Sequence, residues 1–163
     1  MKMIHARLVK SSRRPASWLL CGVAAILLAA GSTLAIRAAP AIPDPCKLVT
    51  AAELQQIAGP LKGAPKPGAS GEVACEYTPA KAPAWIRISL HDGELGYWKT
   101  RNGGKNPVSL PEFGTNAFVN PDFEGSTDLY AKKGDLVLSV SMPKGPTAVD
   151  MVKAIARKAL PRL

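Results

Sequence analysis

An uncharged apolar run at residues 18–36 divides this chain into two parts. The segment before it is basic and has no acidic residue, its charges coming from Lys2, Arg7, Lys10, Arg13 and Arg14. A basic segment in front of an apolar run stays on the cytoplasmic side while the chain that follows crosses the membrane. We therefore predict that residues 1–41 are a signal peptide or an N-terminal membrane anchor and that residues 42–163 form a single extracytoplasmic domain.

The apolar run is compatible with two fates. Its length nearly suffices to span a bilayer, whereas its Ala and Gly content and the small residues at 33–35 and 39–41 favour cleavage by a signal peptidase. Arg13 and Arg14 keep the twin-arginine export route open beside the general secretory route. The domain is therefore expected in the periplasm or secreted, or held at the inner membrane by residues 18–36.

The net charge of +9 is concentrated in the N-terminal segment. With Arg37, residues 1–41 carry six positive charges, which leaves the domain at +3. A domain this mildly basic does not indicate a nucleic-acid partner. We expect a small ligand or another envelope protein as the partner, and a membrane contact only through the N-terminal segment.

Three cysteines divide by position. Cys21 lies inside the apolar run and is expected to be an apolar filler. Cys46 and Cys75 are an even pair in an oxidising compartment, which favours a structural disulfide. A redox-active pair is the alternative, although catalytic dithiols usually lie two residues apart.

Helix signals occur at both ends of the domain. Thr50 and Glu53 have the spacing of a capping box, and Gly59 is expected to end this helix. Thr147 is expected to cap a C-terminal helix through its hydroxyl. Apolar residues in that helix repeat at intervals of three and four, at Val149, Val152, Ile155, Ala156, Ala159 and Leu160.

Strand signals lie between the two helices. Residues 86–90 and 136–142 alternate apolar and polar side chains, and Gly134 is expected to form the turn of a hairpin with residues 129–131. Weaker strands are predicted at 75–77 and 116–119, a short helix at 93–100, and an irregular loop at 59–71. The predicted fold class is α+β, an antiparallel sheet of about four to five strands with an N-terminal and a C-terminal helix packed on it and one disulfide.

Candidate catalytic residues are few. His91 is the domain's histidine, and with Asp92 and Glu94 it could contribute to a metal-assisted envelope enzyme. Adjacent residues at a strand end point in different directions, so a solvated turn is the favoured interpretation. We predict that the protein is not an enzyme and has no metal site or cofactor.

Residues 120–125 place oxygen-bearing side chains at alternate positions before a glycine, as a calcium loop does. The last ligand position of such a loop, normally glutamate, falls on Ala131. An acidic turn that leads into the hairpin is therefore favoured over a calcium site.

Two patterns suggest ligand contacts. Trp85, Tyr97 and Trp98 could line a groove for a sugar or an apolar ligand, with packing in the core as the alternative. Arg101 and Lys105 flank two glycines, which could form an anion-binding nest or a simple turn. These five residues are the candidate ligand-binding set.

The segment Asp44-Pro45-Cys46-Lys47-Leu48-Val49-Thr50, followed by Glu53 and later by Cys75-Glu76-Tyr77, resembles small bacterial secreted and lipid-anchored domains of unknown function. The resemblance implies an extracytoplasmic α+β domain in which Cys46 is bridged to Cys75. Many such domains are lipoproteins with a cysteine at the cleavage site, whereas this chain has no good lipobox. The resemblance transfers no catalytic residue.

The sequence thus predicts a non-catalytic cell-envelope domain that binds a small ligand or an envelope protein. A metal-assisted enzyme that uses His91 and nearby carboxylates is one alternative. A purely structural or inhibitory accessory protein is the other.

Overall fold

The computed structural model describes residues 42–69, 71–102 and 107–163. In these ranges the helices are α1 (Ala51–Ala58), α2 (Leu95–Asn102) and α3 (Ala148–Ala159). The strands are β1 (Lys66–Pro67), β2 (Ala74–Tyr77), β3 (Ile86–Asp92), β4 (Val108–Ser109), β5 (Phe118–Phe123), β6 (Ser126–Lys133) and β7 (Leu136–Pro143). None of the helices described is long and apolar enough to cross a membrane. The predicted signal or anchor at residues 1–41 lies outside the described residues.

All the strands described form one antiparallel sheet in the order β1-β2-β3-β7-β6-β5-β4. The first three strands and the last four each pair in sequence, and the two sets join where β3 pairs with β7. The connection from β3 to β4 therefore runs from the middle of the sheet to its edge, and it carries α2.

The main core lies between one face of the sheet and helices α1 and α3. Leu54 of α1 and Ile155 of α3 are fully buried there with the apolar residues of β3 and β7. Helix α2 packs on the opposite face, where Leu95 contacts a smaller cluster formed by Phe118, Tyr130 and Val137. The sheet is thus covered fully on one face and only partly on the other.

The predicted disulfide is confirmed. Cys46 and Cys75 are bonded, with their Cα atoms 5.0 Å apart and a sequence separation of 29. The bond ties the turn before α1 to β2, and closing a loop of this length stabilises the fold by about 3 to 4 kcal/mol on the chain-entropy account. The Tyr77 hydroxyl reinforces this connection because it donates to the carbonyl of Val49 at 2.9 Å.

Local signals at the element ends are correct in all but one case. The capping box of Thr50 and Glu53 is present, and Gly134 has the positive φ of +59° predicted for the β6–β7 hairpin. Thr147 precedes α3 as predicted, but its side chain makes no capping hydrogen bond. Its backbone is near the helical region instead of the extended conformation that aims a capping hydroxyl at the first turn.

The predicted fold class, with about four to five strands and a helix at each end, is wrong. The residues described form a seven-stranded sheet with three α-helices, and the domain is mostly β. Strands β1 and β4 have two residues each, which is too few to show an alternating pattern in the sequence. Strand β1 lies within the irregular loop predicted at 59–71. The short helix predicted at 93–100 corresponds to α2. The predicted fold does not include a helix on the second face of the sheet, where α2 packs.

Candidate functional site

The sheet face opposite α1 and α3 carries a row of polar side chains. The row crosses five strands, because each member is the cross-strand partner of the next: Glu76, Arg87, Ser141, Asp128 and Asn120. Directly opposite residues on one face lie close enough for their side chains to interact. A polar row across the middle of a sheet is costly to bury, and here α2 leaves much of it uncovered.

A groove of about 640 Å³ lies over this row. We call it the sheet-face groove. Its aromatic lining residues are Trp85, Phe123 and Tyr130. Its polar lining residues are Glu76, Arg87, Glu124, Ser126, Asp128 and Ser141. A concave site with a few convergent polar groups and aromatic walls is the usual form of a small-molecule site.

Arg87 is held between two carboxylates at one side of the groove. One terminal nitrogen of its guanidinium lies 2.6 Å from Glu76 Oε1 and 3.0 Å from Glu72 Oε2. Its Nε also donates to Glu76 Oε1, at 3.1 Å. Much of the positive charge of Arg87 is therefore compensated within the protein.

Asp128 is the most deeply buried charged residue of the groove, with 5% of its surface exposed. Burial raises the pKa of its carboxyl, while hydrogen bonds with the hydroxyls of Ser126 and Ser141 act in the opposite direction. No Lys, Arg or His forms an ion pair with Asp128 in the part of the chain that the structure describes. A carboxylate in this position is retained at an energetic cost.

Tyr130 separates the open groove from the half of the face that α2 covers. Its ring stacks on Phe118, with centroids 5.0 Å apart, and on Trp98 of α2 at 5.9 Å. Its hydroxyl accepts a hydrogen bond from Asn102 at the end of α2, at 2.9 Å. Desolvation by burial raises the pKa of Tyr130 to about 12, so the phenol is neutral at neutral pH.

Under α2 lies a second polar group, His91. Its Nε2 forms a 2.9 Å hydrogen bond with the hydroxyl of Ser139, and its ring packs against Trp98 with centroids 4.2 Å apart. Burial lowers the pKa of His91 because desolvation disfavours the imidazolium. The buried Nε1 of Trp98 has no hydrogen-bond partner among the residues described.

The structure separates the aromatic residues that the sequence analysis grouped together. Trp85 is 41% exposed and lines the sheet-face groove. Trp98 faces the sheet, whereas Tyr97 points away from it and accepts a hydrogen bond from Arg101 at 2.6 Å. Lys105 lies outside the described residues. Of the four candidates that the structure describes, Trp85 alone lines the sheet-face groove.

The residues considered as metal ligands form ion pairs and turns in the structure. Within the described ranges, no group of three or more His, Cys, Asp or Glu side chains could hold a metal ion. Glu94 pairs with Lys132 at 2.6 Å. Residues 120–125 form the end of β5 and the tight turn to β6, where Glu124 and Gly125 both have positive φ. Asp122 of this stretch is paired with Lys144 at 3.0 Å.

Sequence reasoning missed most of the groove. The alternation in β3 places Trp85 and Arg87 on the wetter face of the strand, which was a usable signal. Asp128 and Tyr130 also alternate with the core residues of β6. The pairing of β3 with β7 brings these two strands into one site, and a long-range pairing of this kind has no local sequence signature.

No protein-family model matches the chain, and no curated protein matches it. A solved structure of a GTP-binding regulator from Thermotoga maritima is similar, at 14% sequence identity and a TM-score of 0.37. The likeness covers 72% of this chain and 92% of that one. At this TM-score the likeness supports no inference about fold, nucleotide or activity.

Proposed function

We propose that this protein is a non-catalytic binding domain of the bacterial cell envelope that holds a small ligand in the sheet-face groove. The observation that carries the proposal is the groove itself, which is lined by both the exposed Trp85 and the buried Asp128. Buried polar groups without full compensation reduce stability, and proteins retain them mainly at functional sites.

An extracytoplasmic location is part of the proposal. It rests on the basic and apolar segments of residues 1–41 together with the Cys46–Cys75 disulfide, because structural disulfides persist in oxidising compartments.

The location is tested by the intact mass of protein recovered from an exporting host, with and without reduction and alkylation. We expect a mass that begins near residue 36 or 42 if the leader is cleaved, or a membrane-bound full-length chain if it is not. In both cases Cys46 and Cys75 should resist alkylation until they are reduced. A soluble full-length protein with both cysteines free in the cell would contradict this part of the proposal.

The groove is tested by a thermal-shift screen of the exported protein against small amines, sugars, carboxylates and short peptides. Ligands that stabilise the native protein raise its melting temperature by mass action. Trp85→Ala should abolish the shift, because it removes the exposed aromatic wall of the groove.

Tyr97→Ala is the matched control. Tyr97 is also an exposed aromatic residue, at 55%, but it lies on the outer side of α2. The control should leave the ligand-induced shift unchanged. Equal loss in both variants, or loss in Tyr97→Ala alone, would move the binding site to α2 and contradict the proposal.

A further inference from the structure

The charges of the sheet-face groove are unequal. Its described lining contains the carboxylates of Glu76, Glu124 and Asp128 but only one cation, Arg87. A site lined in this way has a negative potential, which attracts cations and repels anions.

Arg87 does not reverse this balance. Its guanidinium already contacts Glu76 and Glu72, within 2.6 and 3.0 Å. An anionic ligand would have to compete with both carboxylates for the same nitrogen. The cation of the groove is therefore better suited to positioning Glu76 than to binding an anion.

Asp128 has hydroxyl partners but no cationic one among residues 42–69, 71–102 and 107–163. Only 5% of the surface of this residue is exposed, and it lines the groove. Its carboxyl accepts a hydrogen bond from the hydroxyl of Ser126 and is also hydrogen-bonded to Ser141, but it forms no ion pair there. A buried carboxylate is stabilised most by an opposite charge within a few ångströms. A positively charged group in the groove would supply that charge.

Aromatic residues line the same groove as Asp128. Trp85 and Phe123 line the groove together with Tyr130, whose ring already stacks on Phe118 and Trp98. The face of an uncovered aromatic ring attracts cations through its quadrupole, and Trp85, at 41% exposed, is the most accessible of the three. A carboxylate together with aromatic walls is the combination that recognises organic ammonium groups, since the rings also cover the apolar part of the ligand.

We propose that the ligand of the sheet-face groove is an organic cation, a small amine or quaternary ammonium compound with an apolar body, and that Asp128 is its counter-ion. This inference rests on the proposed function and specifies its ligand class. Glu124, at the rim, contributes to attraction at longer range.

The test compares choline with its uncharged isostere 3,3-dimethylbutan-1-ol, in which carbon replaces the nitrogen. Each is titrated into the exported protein, and binding is followed by tryptophan fluorescence and calorimetry. We expect choline to bind at least about tenfold more tightly, since a desolvated cation–π contact alone is worth about a factor of ten or more.

Asp128→Asn should reduce choline affinity by about tenfold or more and leave the binding of the isostere nearly unchanged. Asp135→Asn is the control, because it removes the same charge from the β6–β7 turn, outside the groove. It should leave choline binding within about twofold of the wild-type value.

The outcomes separate the two proposals. Equal binding of choline and its isostere, with both lost in Trp85→Ala, would overturn the ammonium inference but support the groove as a binding site. The ammonium inference would also be overturned, and the groove supported, if choline did not bind while sugars or carboxylates raised the melting temperature of wild type but not of Trp85→Ala. The comparison of the two compounds on wild-type protein decides the inference even if Asp128→Asn does not fold.

Discussion

At the scale of single residues, burial acts in opposite directions on two titratable groups of the same sheet face. It raises the pKa of Asp128 and lowers the pKa of His91, because in each case desolvation disfavours the charged form. His91 is hydrogen-bonded to a neutral partner, Ser139, and its ring packs against Trp98, so its neutral form suits its surroundings. Asp128 faces an open groove, which makes it the better candidate for a ligand contact.

The same residues show what sequence alone could predict at this scale. Alternation of apolar and polar side chains along residues 85–90 indicates that Trp85 and Arg87 share the face opposite the core, and both residues line the groove. His91 was named because histidine is the usual acid–base residue, but its partners are a hydroxyl and an indole ring. Partners of this kind come from β7 and α2, so no local pattern around His91 identifies them.

At the scale of elements, the signals that were read correctly are local ones. The capping box of α1, the alternation of β3 and β7 and the glycine of the β6–β7 turn each depend on residues close in sequence. The edge strands β1 and β4 are too short to show a period. Helix α2 contains Gly96 and few apolar residues, and it is held on the second face by Leu95 and Trp98.

One prediction concerns the contact between α1 and the chain end. Arg162, in the turn after α3, donates to both carboxylate oxygens of Glu53, at 2.7 and 2.8 Å. This hydrogen bonding, with a further contribution from Thr50, lowers the pKa of Glu53 from 4.5 to about 2. A carboxyl with a depressed pKa stabilises the native state above its unfolded pKa, and this stabilisation is lost as the pH falls.

We therefore expect the urea midpoint of the wild-type protein to fall between pH 4.5 and about 2, in the window set by the Glu53 pKa. Glu53→Gln keeps the capping box, which accepts glutamine, but it should lower the midpoint at pH 7 and flatten this decline. Asp135→Asn, the matched control, should show the wild-type decline. An equally steep decline in Glu53→Gln would contradict the assignment.

At the scale of the whole molecule, the sequence predicts the disulfide and the amphipathic elements that supply the main core, but among its candidate ligand-binding residues only Trp85 lines the sheet-face groove. The core follows from alternation and helical periodicity, since burial of one apolar face dictates both. The site depends on sheet order. Residues 76 and 87 are paired through β2 and β3, and residues 128 and 141 through β6 and β7. The two pairs join in one row only because β3 pairs with β7.

The measurement that tests the central claim most directly needs no knowledge of the ligand. If Asp128 is kept for binding, its charge is a cost to folding, because a carboxyl whose pKa is raised in the native state disfavours folding above that pKa. The free energy of unfolding of wild type and Asp128→Asn should be compared by urea denaturation at pH 7 and at pH 4.

The account predicts that Asp128→Asn is at least as stable as wild type at pH 7. It also predicts that the free energy of unfolding of the wild-type protein rises relative to that of the variant as the pH falls, because protonation removes the buried charge. A variant less stable by about 2 kcal/mol or more at pH 7 would assign the carboxylate to structural hydrogen bonding. That result would contradict the view that the sheet-face groove is built for a ligand.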